Sequence, residues 1–141
     1  MEKDLQTPPV NSAATAPAYR VVIIKDNFAL ANVLKRLIEK MGHDAAIAHD
    51  GNSGLELVRS MKPDVVLSAI EVPLLNGYQI ASEIRRTLSK RPLVAAITGY
   101  SEYEIGTKAK EAGFDLVLSM PVSVAELTEA FTHIERGDYQ S

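Results

Sequence analysis

The first nineteen residues, MEKDLQTPPVNSAATAPAY, contain three prolines and scattered Ala, Ser and Thr, with no apolar period. A stretch of that kind cannot bury enough surface to offset the entropy of ordering it, so residues 1–19 are read as a disordered arm. At Arg20 the pattern switches to VVII, a β-branched apolar run of the type found in strands covered on both faces. The folded domain is expected to span residues 20–136, with 137–141 as a short tail.

Behind that strand, Asp26 and Asn27 are cap residues for a helix with apolar positions at Leu30, Val33, Leu34, Leu37, Ile38 and Met41, in steps of three and four. Gly42 stops it. Ala45–Ala48 reads as a second strand and Asp50-Gly51 as a turn. Leu55, Leu57 and Val58 form the apolar part of a short helix that Pro63 ends. Val65–Ile70 is the third strand, followed by a turn at Pro73 and Asn76-Gly77 and a helix carrying Ile80, Ala81, Ile84 and Leu88. Leu93–Ile97 and Asp115–Leu118 are the fourth and fifth strands. Ser101 with Glu104 and Ser123 with Glu126 have the spacing of capping boxes and mark the starts of the last two helices.

Strands and helices alternating at this spacing require parallel strands joined by crossover helices, hence an α/β fold with a doubly wound sheet and helices on both faces. In such sheets the functional crevice lies beyond the carboxyl ends of the strands. The residues to inspect are therefore Lys25, Asp26 and Asn27 after the first strand, Ala69, Ile70 and Glu71 after the third, Thr98 and Gly99 after the fourth, and Ser119, Met120 and Pro121 after the fifth.

Composition narrows the classes. With 15 basic and 18 acidic residues the 141-residue chain carries a formal charge of -3, not the clustered basic excess that nucleic-acid binding needs. Cysteine is absent, which removes thiol nucleophiles, thiolate zinc sites and disulfides and suits a reducing cytoplasm. No apolar run is long enough to span a bilayer, and the first ten residues lack the apolar core of a signal peptide. A cytoplasmic protein is expected.

Five segments in order, VVIIKDN, GHDAAIAHDGNSGLELV, KPDVVLSAIEVPLLNGYQIASEIR, PLVAAITGYSE and EAGFDLVLSMPVSVAEL, resemble the receiver domain of bacterial response regulators from Arg20 to about Ile134. The resemblance implies a single flavodoxin-like (βα)5 domain with strand order 2-1-3-4-5 and a cis peptide before Pro121. It also implies a phosphorylation pocket. In the family, the third strand ends in an aspartate that accepts a phosphoryl group, and an acidic pair after the first strand helps hold magnesium. A Thr or Ser after the fourth strand and a Lys before a proline after the fifth contact the phosphoryl oxygens.

This chain departs from that pattern at most positions. Lys25 stands where the first acid is expected and Asp26 where the second is; Ala69 replaces the acceptor, Thr98 is the expected hydroxyl, and Met120 replaces the lysine. The chemical consequence does not depend on the family. An acyl phosphate needs a carboxylate nucleophile, and a methyl group has no lone pair to offer phosphorus. Lys25, Asp26, Ala69 and Met120 sum to zero charge, and an ammonium about 4 Å from a dication is repelled by roughly 8 kcal/mol at an effective dielectric near 20. Neither phosphate on Ala69 nor bound magnesium is expected, and Lys25 is expected to pair with Asp26 or Glu71 in the metal's place. Asp64 belongs to the opposite end of the third strand, and Ser68 faces a helix layer with its hydroxyl on the backbone; the resemblance implies a backbone carbonyl role for residue 71, which leaves the Glu71 side chain free to point outward. Thr98 and Asp26 are either remnants that still hold an anion or a partner, or a strand-end hydroxyl and a cation's partner. The missing acceptor favours the second.

The leading expectation is a pseudo-receiver: not an enzyme, without cofactor or metal, acting in phosphorelay signalling by phosphorylation-independent contact with a protein such as a histidine kinase or another signalling protein. Tyr100 and Tyr103, at the start of the fourth helix, are candidate partner-surface residues, the equal alternative being that one ring packs on the neighbouring helix. The position where the family often carries a switching aromatic is Val117. A flavodoxin-like binder of FMN or another small ligand is the alternative, although KDNFAL lacks the Gly/Ser/Thr-rich phosphate loop it would want. His43, His49 and His133 are scattered without metal-ligand spacing and read as surface or turn residues. The five residues after the last helix are too few for a DNA-binding helix-turn-helix, so direct transcriptional action is not expected of this chain.

Overall fold

The computed structural model describes residues 18–88, 91–99 and 102–136, with residues 102–105 described by their backbone alone. Strands and helices alternate along the chain: β1 (Arg20–Ile24), α1 (Phe28–Lys40), β2 (Asp44–Ala48), α2 (Gly51–Met61), β3 (Val65–Ala69), α3 (Gly77–Thr87), β4 (Leu93–Thr98), α4 (Glu102–Ala112), β5 (Leu116–Ser119) and α5 (Val124–Arg136). All strand pairs are parallel, and the sheet order is β2-β1-β3-β4-β5, as the resemblance implied. Capping box Ser101–Glu104 and the tyrosines Tyr100 and Tyr103 lie outside the described residues or side chains.

The two-sided burial read from VVII is present. Val21 and Ile23 face one core with Ala31, Leu34 and Ile38 of α1 and Leu127, Ala130 and Phe131 of α5. Val22 and Ile24 face a second core with Leu55 and Val58 of α2, Ile80, Ala81 and Ile84 of α3, and Ala109 of α4. Alternate side chains of a strand point to opposite faces, so a sheet with helices on both sides needs apolar residues at every central position.

Helix α1 corrects part of the periodicity reading. Leu30 is 37% exposed and Val33 59%, while Ala31 is fully buried. The steps of three and four describe two overlapping stripes, and packing on the sheet selects the one through Ala31, Leu34 and Ile38. Asp50 is not half of a turn but the N-cap of α2, its Oδ1 accepting from the Ser53 N–H at 2.7 Å. Ser123 and Glu126 form the expected box at the start of α5. A second box, Asn76 with Gln79, starts α3 and was missed because Asn-Gly reads first as a turn.

Candidate functional site

The site is assembled by strand register. Ile24 lies opposite Ser68 and Ala69 opposite Ile97, so Lys25 and Ala69 stand abreast at the carboxyl ends of adjacent strands. Thr98 ends β4 opposite Ser119, and its carbonyl accepts the Met120 N–H at 2.8 Å. Met120 is joined to Pro121 by a cis peptide. The fold thus brings Lys25, Ala69, Thr98 and Met120 to one edge. Asp26 and Glu71 are exposed on the loops after β1 and β3.

Ala69 is 4% exposed and Thr98 6%. The Ser68 hydroxyl is fully buried and donates to the Ala69 carbonyl at 2.9 Å, a core hydroxyl satisfied by backbone. Asp64 sits at the other end of β3, its Oδ2 accepting the Arg20 N–H at 2.9 Å. Neither supplies a carboxylate or hydroxyl to the edge where Ala69 lies.

Lys25 is half-buried, held by its backbone: its N–H donates to Ala48 at 3.0 Å, and its carbonyl lies 3.0 Å from His49 Nδ1. The expected ion pair is not formed. Among the described residues the ion pairs are Arg59–Glu83, Arg86–Glu83 and Arg91–Asp115, and neither Lys25, Asp26 nor Glu71 takes part. Asp26 and Glu71 are held by exposed loop backbone, where hydration competes with a single surface contact worth little. His49 is engaged as well, its ring stacked on Phe28 with centroids 3.7 Å apart.

The loop between β3 and α3 closes one side of the edge. The Gly77 N–H donates to Ile70 at 2.7 Å, and the Gly51 N–H at the head of α2 donates to Pro73 at 3.0 Å. A Cβ on Gly77 would collide with the Ala69 carbonyl oxygen, which is why α3 starts on a glycine. Leu74 sits at φ 74°, between Pro73 and a Leu75 N–H that donates back to the Pro73 carbonyl at 2.9 Å, a strained three-residue turn. Sequence reasoning did not anticipate this contact between α2 and the loop; a glycine directly after the cap residue Asp50 was the available sign.

Chemically, the edge offers one ammonium, one hydroxyl, one methyl and one thioether. No carboxylate stands at the end of β3 to attack phosphorus, where the strand closes on Ala69. Among the described residues no three His, Asp or Glu side chains are grouped as metal ligands, and no helix is long and apolar enough to cross a membrane.

The response regulator receiver domain family matches residues 21–132. The chain belongs to that family: it is a receiver domain of the two-component response regulators, a class of signalling domains that work with proteins such as histidine kinases. The signal receiver domain of NarL from Mycobacterium tuberculosis is 25% identical with a TM-score of 0.76, covering 86% of this chain and 99% of that one. A CheY-like receiver domain from Methylobacillus flagellatus is also 25% identical, with a TM-score of 0.74 over 84% of this chain and 99% of that one. The receiver domain of the sensor histidine kinase PA1611 from Pseudomonas aeruginosa, 21% identical, shares the fold with a TM-score of 0.75 over 84% of this chain and 99% of its own; its structure holds a magnesium ion in the active-site cleft.

Proposed function

We propose that this receiver domain is a pseudo-receiver, which takes part in phosphorelay signalling by binding a protein partner without being phosphorylated. The observation that carries the reading is Ala69, a buried methyl group at the end of β3 where the family places its acceptor. Lys25 and Met120 support it, since one brings a positive charge to the metal's side of the edge and the other removes the positive charge that would face phosphoryl oxygens. The flavodoxin-type alternative gains nothing from the loop after β1, where the Asn27 side chain is already used as acceptor for the Leu30 N–H at 3.0 Å.

Two surface features support constitutive docking. Phe28, Leu74 and Val124 are 64%, 76% and 49% exposed, and they lie at the starts of α1 and α5 and in the β3–α3 loop, around the same edge. Beside β5, a groove of about 670 Å3 runs between α4 and α5 and is lined by Gly106, Lys110, Val117 and Glu129. Tyr100 and Tyr103, which precede the groove residues in the chain, are the proposed partner-surface residues. A partner closing over either feature would bury apolar surface with no phosphoryl group to trigger it.

The test is incubation of the purified domain with magnesium and a small acyl-phosphate donor, read by intact mass and by hydroxylamine lability. The expected result is no phosphoryl adduct. A stoichiometric, hydroxylamine-labile phosphate on the chain would overturn the reading.

A further inference from the structure

At the opposite end of the sheet from the site, three rings meet. Tyr19, only 9% exposed, stacks on Phe131 of α5 at 5.3 Å and 12°, and His43 lies 4.3 Å from the same phenylalanine and 5.1 Å from Tyr19. The Tyr19 N–H donates to His43 Nδ1 at 3.0 Å, and the Tyr19 hydroxyl donates to Glu135 at 3.3 Å. The Tyr19 carbonyl accepts the Asp44 N–H at 3.0 Å. One histidine therefore ties together the residue that leads into β1, the start of β2 and the last turns of α5.

We propose that His43 is a proton-operated latch, which in its neutral form holds the entry of β1 against α5 and on protonation lets go of Tyr19. The argument is one of valence. A backbone N–H can only donate, so Nδ1 must present a lone pair, and a protonated ring has none left at that atom. Adding the proton turns an acceptor into a second donor 3.0 Å from a donor, in a cluster whose other faces are aromatic.

The charged groups on the surrounding elements do not prevent this. Asp44 adjoins His43 on β2 and Asp64 stands at the head of β3, and both favour the charged ring. Glu39 and Lys40 lie in the last turn of α1, and His133, Glu135 and Arg136 in the last turn of α5, with Glu135 already bonded to Tyr19. Burial outweighs the two aspartates and holds the His43 pKa below its ordinary 6.5. The folded state then binds fewer protons than the unfolded chain. Its contribution is present in full above pH 6.5 and is lost as the pH falls through the folded-state value.

The measurement is an NMR titration of the whole domain from pH 8 to about pH 5, following the His43 ring, the Tyr19 amide and the Phe131 ring together. The expected result is a shared midpoint below that of an exposed histidine, with the protection of the Tyr19 amide, relative to the intrinsic exchange rate at each pH, falling at least about tenfold on the acid side. His43→Asn keeps an acceptor where Nδ1 stood and cannot titrate, so that variant is expected to show no such transition. Resonances of Tyr19 and Phe131 that ignore the His43 midpoint in the native chain would overturn the latch, whether or not the variant folds. An unchanged transition in His43→Asn would do the same.

Discussion

Single side chains set what each end of this sheet can do. At the carboxyl edge, Ala69 presents a buried methyl group, which has no lone pair with which to attack phosphorus. At the amino edge, Arg91 and Asp115 form an ion pair at 3.0 Å with side chains only 15% and 13% exposed, and Asp115 also accepts the Val94 N–H at 2.8 Å. Burial raises the Asp115 pKa, opposed by the Val94 N–H and the Arg91 charge, so this carboxylate depends on its partners to stay ionised. Arg91→Met would strand it. The expected loss is roughly 3–5 kcal/mol of unfolding free energy, measured by urea denaturation at neutral pH. A loss below about 1 kcal/mol would show that water replaces the guanidinium. Sequence alone could not flag this pair, whose members are far apart in the chain and meet only through strand pairing.

At the scale of elements, the strands were the most legible part of the chain. VVII and LVAAI are continuous apolar runs, and VVLSA departs from one only at the buried Ser68, the pattern of strands covered on both faces. Caps were legible where Ser and Glu stand three apart, as in Ser123 and Glu126, and less so where Asn precedes Gly. Burial on α1 was not, because Leu30 and Ala31 are both apolar and the sheet decides which one it covers. The start of α3 follows the same logic in the backbone: Gly77 fits because the Ala69 carbonyl occupies the space of a side chain. Gly77→Ala should therefore push α3 off the end of β3 and cost about 1–3 kcal/mol, seen as a lower melting temperature. Gly106→Ala makes a suitable control, since its added methyl meets nothing within 4 Å.

For the whole molecule, the receiver fold brings together an edge whose four side chains, Lys25, Ala69, Thr98 and Met120, include no carboxylate. If the edge no longer calls for a dication, titration with magnesium should leave the melting temperature and the amide spectrum of the domain unchanged. Lys25→Asp combined with Ala69→Asp should restore a magnesium-dependent shift at residues 25, 69 and 98. A native-chain response to millimolar magnesium, localised to those residues, would contradict the neutral-edge account. The residue types at this edge were readable in the linear chain, because the strand ends could be found from the apolar runs. What was not readable was the state of Lys25, which the sequence suggested would pair with Asp26 or Glu71 and which the fold leaves outside any ion pair with them.

The amino-acid order by itself determined the alternation of strands and helices, the parallel sheet, and the chemistry missing at position 69, since each follows from local pattern or from what a side chain is made of. Tertiary structure decided which stripe of α1 is buried, where Lys25 and the loop acids come to rest, and that Tyr19, His43 and Phe131 share one cluster. Those outcomes depend on distances between residues remote in the chain, and the energies that choose among them arise only when packed surfaces compete for the same space.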